Sequence, residues 1–340
     1  MRAVMVTGPD AVVVDTIPPP APDERAHVAL ERMGVCGSDL KIVRGQVRVH
    51  YPRVLGHELV GRVVRAGARG LVAEGTRVLV NPSLACGVCR ECRRDRTNVC
   101  PNGGLMGRDV DGGFAELVAV DEDRLLPVPD DLAPEAASLL QVLGTCVHAQ
   151  ATASVLPGDT AVVIGLGVSG FLTLQLLAAR GARVVGVTRA EWKRELGERL
   201  GAAAVVPPME AAGVLHELTA GAGADVVVEA VGSVATLAHG IELAGYGATI
   251  VQFGTIAAAG EGALPLYELY RKELTVRNPR AALHRDYGRA VALASTGAVT
   301  LEPLWTHGFP LDRAGEAFEL FERDPRALKV TLDVKGAAAS

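Results

Sequence analysis

Ala161-Val162-Val163-Ile164-Gly165-Leu166-Gly167-Val168-Ser169-Gly170 sets an apolar, β-branched run directly against a G-x-G-x-x-G turn. Glycines alone carry little information, and the plainer reading is an ordinary strand-to-helix turn. Here the turn follows a strand pattern and opens a helical stretch over 171–180, the context its mechanism demands. The glycines permit a tight turn and a close backbone approach, and the helix N-terminus then holds a pyrophosphate. Gly165, Gly167, Val168, Ser169 and Gly170 are therefore candidate cofactor-binding residues. Further apolar runs at 183–187, 224–228 and 248–253 alternate with amphipathic helical stretches. Continuous apolar strands separated by helices predict a parallel sheet covered on both faces.

The strand at 183–187 ends where an acidic residue would grip a ribose 2′-hydroxyl. This chain has Thr188 followed by Arg189, with Lys193 and Arg194 a turn later. Losing a carboxylate removes repulsion toward a 2′-phosphate, and the cations attract one. NADP(H) is accordingly expected over NAD(H), the plainer reading being that Arg189 is merely solvated.

Upstream the texture differs. The N-terminus alternates like a strand and turns at Gly8-Pro9, and short β-rich pieces at 62–64, 77–80 and 115–120 are bounded by turn residues. Around Pro134 the pattern becomes helical to about 153, and beyond Ala281 a helix and short strands return, ending at 328–332. A chain of 340 residues favours two domains. With 49% hydrophobic and 21% charged residues it reads as globular. A net charge of -5 makes nucleic acid an unlikely partner. No apolar run approaches the roughly 20 residues that span a bilayer, and the N-terminus lacks a secretory signal pattern. A cytoplasmic protein with reduced thiols is expected.

In that compartment a cysteine cluster reads as metal ligands. Cys86, Cys89, Cys92 and Cys100 supply four thiolates in one loop, suited to a closed tetrahedral zinc site with a structural role. A redox cluster is the rival reading. A zinc module for nucleic acid fits less well, because no basic helix adjoins the lobe and Arg93, Arg94 and Arg96 read as a solvated face. A second constellation is dispersed: Cys36 in Cys36-Gly37-Ser38-Asp39, and Gly56-His57-Glu58. Thiolate, imidazole and carboxylate can bind zinc and leave a position open. Singly, Cys36 could be a small core residue and His57 a satisfied buried histidine.

Taken in order, Gly34-Val35-Cys36-Gly37-Ser38-Asp39, Leu55-Gly56-His57-Glu58, the four-cysteine lobe, Asp111-Gly112-Gly113-Phe114-Ala115-Glu116 and the glycine turn resemble the zinc-containing medium-chain dehydrogenases. The likeness is greatest to their polyol, sugar and secondary-alcohol branch, and it covers essentially the whole chain. The resemblance implies an α/β fold: a GroES-like, β-rich catalytic domain over 1–147 with a structural zinc lobe near 86–100, a Rossmann NAD(P)-binding domain over 148–281, and a return to the catalytic domain over 282–340. It implies an active site in the cleft, two zinc ions per chain, and a homodimer or homotetramer, with the strand near 248–253 a candidate to extend the sheet across a two-fold.

By position, the resemblance makes Cys36 and His57 catalytic zinc ligands and Glu58 a carboxylate that ligates directly or through water. Ser38 falls at the proton-relay hydroxyl, Asp39 at the carboxylate that orients the histidine, and Thr145 near the nicotinamide. Two positions depart. The third protein ligand, usually Cys, Asp or Glu, falls at Gln141; some sugar dehydrogenases carry Gln there, which points toward sugar-like or polyol substrates. Lys41 stands where polyol members usually have His, either ending the relay or solvated. The implied reaction is hydride transfer between a secondary alcohol and its carbonyl. A redox-neutral epimerase or lyase using transient oxidation, and a zinc-stabilised binding protein without catalysis, are the alternatives.

Overall fold

A computed structural model describes residues 1–256 and 260–334. It divides into two compact units: Met1–Gly144 with Ala282–Thr296 and Leu301–Ser340, and Thr145–Ala281 with Gly297–Thr300.

The second unit is built on a six-stranded, all-parallel sheet. Its order is Ala204–Val206, Arg183–Val187, Thr160–Ile164, Ala224–Glu229, Ala244–Gln252 and Thr275–Arg277. All five residues of Thr160–Ile164 are buried, which is why that run carries no polar alternation. Strand order reverses between Thr160–Ile164 and Ala224–Glu229, a switch point that opens a crevice at the carboxyl ends. The helix after the glycine turn spans Val168–Ala179, three residues earlier than expected, because Gly167 is already its N-cap. Buried residues line it from Gly170 to Leu177, so it packs on nearly every side.

The apolar piece read at 248–253 belongs to Ala244–Gln252, and it is not an edge. Thr275–Arg277 pairs outside it in parallel, so any extension of the sheet proceeds from that outer strand. Two buried charges brace this region. Lys272 donates to the carbonyls of Ile241, Glu242 and Ala244 at 2.8–3.1 Å, satisfying the C-terminus of the helix Val234–Leu243. Glu229, wholly buried, accepts from the Val231 and Gly232 amides, the Thr236 hydroxyl and the Gln252 amide.

The first unit holds a seven-stranded sheet ordered Leu125–Pro127, Arg77–Val80, Glu58–Arg65, Ala26–Gly34, Lys329–Asp333, Trp305–Pro310, with Leu117–Val120 also paired to Ala26–Gly34. Ala11–Thr16, Arg2–Gly8 and Arg53–Val54 form a smaller sheet. The late strand Lys329–Asp333 lies antiparallel to Ala26–Gly34, with Leu332 opposite Met33. The end of the chain thereby becomes an interior strand of the sheet that begins near residue 26. Buried Arg32 locks the pairing, 2.7 Å from Asp333 and 2.6 Å from Glu135. No helix among the described residues is long and apolar enough to cross a membrane.

Candidate metal centre and nucleotide site

Cys36 lies two residues past the strand Ala26–Gly34 and caps the helix Gly37–Val43. Its amide donates to Asp39 Oδ2 at 3.0 Å, so the carboxylate one turn on pins the cysteine backbone. The other oxygen, Asp39 Oδ1, is sealed from solvent without a hydrogen bond and lies 3.4 Å from His57 Nδ1. One fully buried carboxylate thus faces both Cys36 and His57.

His57 is held by a packed turn. Gly56 has φ +96°, and a Cβ built there would lie 2.2 Å from the Phe114 ring. The amides of Gly112, Gly113 and Phe114 donate to the carbonyls of Val54, Gly56 and Leu55 at 2.8–3.0 Å. The Asp111–Phe114 segment is therefore the buttress of the histidine turn, which is what its two glycines and one aromatic accomplish.

Cys36, His57 and Glu58 each bring one ligand atom within 4.8 Å of the others. This donor set fits zinc: a soft thiolate, an imidazole and a carboxylate around one point. Orphaned Asp39 Oδ1 fits as well, since an Nδ1–H turned to it leaves Nε2 as the ligand nitrogen. Ser38 Oγ lies 3.4 Å from that Nε2. Burial lowers the proton affinity of His57, but Asp39 and Cys36 outweigh it, and with no cation bound the imidazole is held well above its usual range.

Glu58 is not free. Its Oε2 lies 2.5 Å from the ammonium of buried Lys329, which also donates to the Val35 carbonyl at 3.4 Å. Gly34 leaves the space, because a Cβ there would fall 2.2 Å from the same oxygen. Gln141 is the second residue of the helix Leu140–Gln150 and is buried, its Nε2 donating to Tyr287 Oη at 3.4 Å. The Tyr287 phenol is pushed up chiefly by burial, with Glu58 adding to the rise. Sequence reasoning missed Lys329 and Tyr287; each lies far along the chain from the residue it touches, and no local motif marks them. Lys41 sits in the last turn of Gly37–Val43, partly exposed, and forms no ion pair among the described residues. Thr145 lies within Leu140–Gln150, where the second unit begins.

The four lobe cysteines are all thiols, and their sulfurs lie within 4.8 Å of one another. Cys100 Sγ is 3.6 Å from Cys86 Sγ and 3.8 Å from Cys89 Sγ. A tetrahedron with Zn–S bonds of about 2.3 Å has edges of about 3.8 Å, so the spacing fits a single ion. The Val88 and Cys89 amides draw the Cys86 thiol down to about 6, while desolvation and neighbouring sulfurs push Cys92 up to about 12.

In the second unit Gly165 has φ +94°, and a Cβ on Gly170 would lie 2.0 Å from Gly165 O. The first and third glycines are demanded by the turn and by packing. A Cβ on Gly167 would meet nothing within 4 Å, so here the fold leaves an open approach beside Val168 and Ser169, where no side chain caps the helix. That cradle fits a pyrophosphate. Thr188 follows the strand Arg183–Val187, its hydroxyl accepting from the Ala190 amide at 3.4 Å. Arg189 is exposed and forms no ion pair among the described residues. The Lys193 ammonium lies 5.3 Å from the Trp192 ring centre, and Arg194 is 3.8 Å from Glu191.

Residues 22–130 match the alcohol dehydrogenase GroES-like domain, and residues 167–296 match the zinc-binding dehydrogenase domain. The chain is 31% identical over 301 residues to the L-galactonate-5-dehydrogenase of Escherichia coli K12, covering 87% of this chain and 88% of the relative. It is 30% identical over 322 residues to an L-threonine 3-dehydrogenase of Caldanaerobacter subterraneus, covering 91% of each. Among solved structures, a Sinorhizobium meliloti 1021 protein described as a zinc-binding dehydrogenase bound to NADP superposes with TM-score 0.89 at 30% identity, covering 98% of both chains.

Proposed function

This chain belongs to the medium-chain dehydrogenase/reductase family, and on that premise we propose that it interconverts a secondary alcohol and its carbonyl by hydride transfer, with a sugar, polyol or cyclitol-like substrate. The observation that carries the reading is the convergence of Cys36, His57 and Glu58 within 4.8 Å, with Ser38 Oγ 3.4 Å from the imidazole. In this reading Cys36 and His57 hold a catalytic zinc with Glu58 and Gln141 beside it, and Cys86, Cys89, Cys92 and Cys100 hold a structural one. Bound zinc supplies Lewis acidity that lowers the pKa of an alcohol, and the nicotinamide supplies the hydride acceptor.

The protein's own residues divide the remaining work. Ser38 Oγ takes the substrate's proton and passes it outward, with Lys41 in the same short helix as the next basic group. Asp39 keeps the His57 proton on Nδ1. Gly165, Gly167, Val168, Ser169 and Gly170 bind the pyrophosphate, and Thr145 supports the nicotinamide. Thr188 admits a 2′-phosphate that Arg189 and Lys193 neutralise, giving a preference for NADP(H).

A homo-oligomer is part of the proposal. Outer strand Thr275–Arg277 pairs on one side only among the described residues, and Tyr246, Tyr267 and Tyr270 nearby are each at least 69% exposed. Exposed aromatics beside an unpaired edge suit a subunit contact.

The deciding experiment is nicotinamide absorbance while zinc-loaded protein meets sugars, sugar acids, polyols, cyclitols, L-threonine and simple secondary alcohols, with NADP⁺ and NAD⁺ side by side. Turnover with a sugar or polyol supports the reading, and turnover with L-threonine alone replaces the substrate class. Silence across the panel, with cofactor tightly held, turns the reading to the redox-neutral alternative.

A further inference from the structure

Among the described residues Tyr287 is the largest of the fully buried side chains. Its ring lies in a slot left by Gly144, where a Cβ would fall 2.2 Å from Tyr287 Cδ1. Gly144 and Gln141 are three apart on the helix Leu140–Gln150, so they share a face. A ring lying over Gly144 therefore brings its hydroxyl to Gln141, and Oη accepts from Gln141 Nε2 at 3.4 Å.

A primary amide has two ends, and only one can serve as a ligand. The nitrogen has no available lone pair; the carbonyl oxygen has two. Rotating the amide by half a turn exchanges them, so whatever holds the nitrogen decides which atom is presented. Gln141 is buried, and in its contact with Tyr287 the amide nitrogen is the end that is engaged. The same phenol lies within electrostatic reach of Glu58, which stands in the Cys36–His57–Glu58 cluster.

We propose that Tyr287 is a positioning residue: its hydroxyl holds the Gln141 amide nitrogen and leaves the carbonyl oxygen to act as a neutral ligand of the catalytic zinc. The inference rests on the zinc reading above and deepens it. It gives a reason for a hydroxyl at a packed aromatic position, and it accounts for how an amide serves where a charged ligand is usual. A neutral third ligand leaves the ion one unit more positive than a carboxylate or thiolate would.

The test uses the full-length chain with cobalt in place of zinc, reading the visible ligand-field spectrum and the metal's affinity by chelator competition. Tyr287→Phe and Gln141→Ala are each expected to weaken the hold by about 10-fold or more, the usual effect of removing a group that orients a ligand. The double variant should be no weaker than the worse single one, because both changes remove one coupled interaction. Both should alter the ligand-field bands in the same sense, while thermal melting of the NADP-bound protein confirms that Tyr287→Phe folds. An unchanged spectrum and affinity in Tyr287→Phe overturns the proposal, as does an unchanged Gln141→Ala or a fully additive double variant. Cys36→Ser separates the two levels: if it leaves the metal count and thiolate absorption intact, the zinc reading itself has failed.

Discussion

Lys329 Nζ lies 2.5 Å from Glu58 Oε2, and both side chains are almost wholly buried. The strand that carries Lys329 comes from the end of the chain, and the one that carries Glu58 from its first quarter. Removing one partner of a buried pair leaves an uncompensated charge, which costs about 3–5 kcal/mol. Lys329→Met is expected to destabilise the protein by that amount in urea unfolding. Glu58→Gln should be milder, since its amide oxygen still accepts from the ammonium. Equal stability of Lys329→Met and the parent chain would mean the pair is not formed in solution.

Zinc uptake by the metal-free protein should depend on pH through His57. Asp39 holds that imidazole above its usual range despite burial, so the metal-free fold gains stability from the pair below the unfolded pKa of about 6.5. That contribution is lost as pH rises through the higher folded value. Zinc requires the neutral ring, so affinity at this site should climb with pH to beyond 6.5 before levelling. Calorimetry in two buffers of different ionisation enthalpy counts the protons released near neutral pH. Asp39→Asn should release fewer, because the imidazole is then already neutral; an identical count in that variant would refute the coupling.

Much of this was legible in the sequence because it is local. The glycine turn, the four-cysteine loop and the Cys36–Asp39 tetrad each place their residues within one turn or one hairpin, where spacing dictates geometry. The parallel sheet was legible because strands buried on both faces lose their polar alternation, as Thr160–Ile164 does. What escaped reading is what tertiary packing brings together from afar. Lys329 meets Glu58 across 271 positions and Tyr287 meets Gln141 across 146, and no local spacing links either residue to its partner. Edge strands escaped for a related reason. Thr275–Arg277 is three residues long and exposed throughout, too short and too polar to show as a strand, which leaves the longer apolar run beside it as the visible candidate for the rim.

The cysteine lobe should be separable from the catalytic metal. Cys100 is its one buried ligand, and an exposed ion pair, Arg285 to Asp95 at 2.8 Å, is among the contacts that hold it to the rest of the first unit. Such surface pairs contribute little, so the ion is expected to supply most of the lobe's order. Cys100→Ala should lose one of two zinc ions by elemental analysis and lower Tm by several degrees. The visible spectrum of cobalt at Cys36 and His57 should stay intact. Retention of both ions would show that the four sulfurs do not bind as a set.

Cofactor choice gives the last prediction. The chain presents no carboxylate at Thr188, the position that follows its second parallel strand in sequence, and Arg189 is exposed with no ion-pair partner among the described residues. A guanidinium on a phosphate makes charge-assisted hydrogen bonds of about 1.5–3 kcal/mol, or roughly 10- to 100-fold in affinity. Arg189→Ala should therefore weaken NADPH by that factor and leave NADH nearly unchanged, as nicotinamide fluorescence titration would register. Lys193 is half-buried beside Trp192, and desolvation lowers its proton affinity. Lys193→Met should accordingly have a smaller effect than Arg189→Ala, because burial already disfavours its charged form. Thr188→Asp tests the same contact from the other side, by restoring repulsion toward the 2′-phosphate together with an acceptor for the ribose hydroxyls. It should reverse the preference toward NADH. If the unaltered protein already binds NADH more tightly than NADPH, or if Arg189→Ala weakens both equally, the guanidinium serves some purpose other than recognising the phosphate.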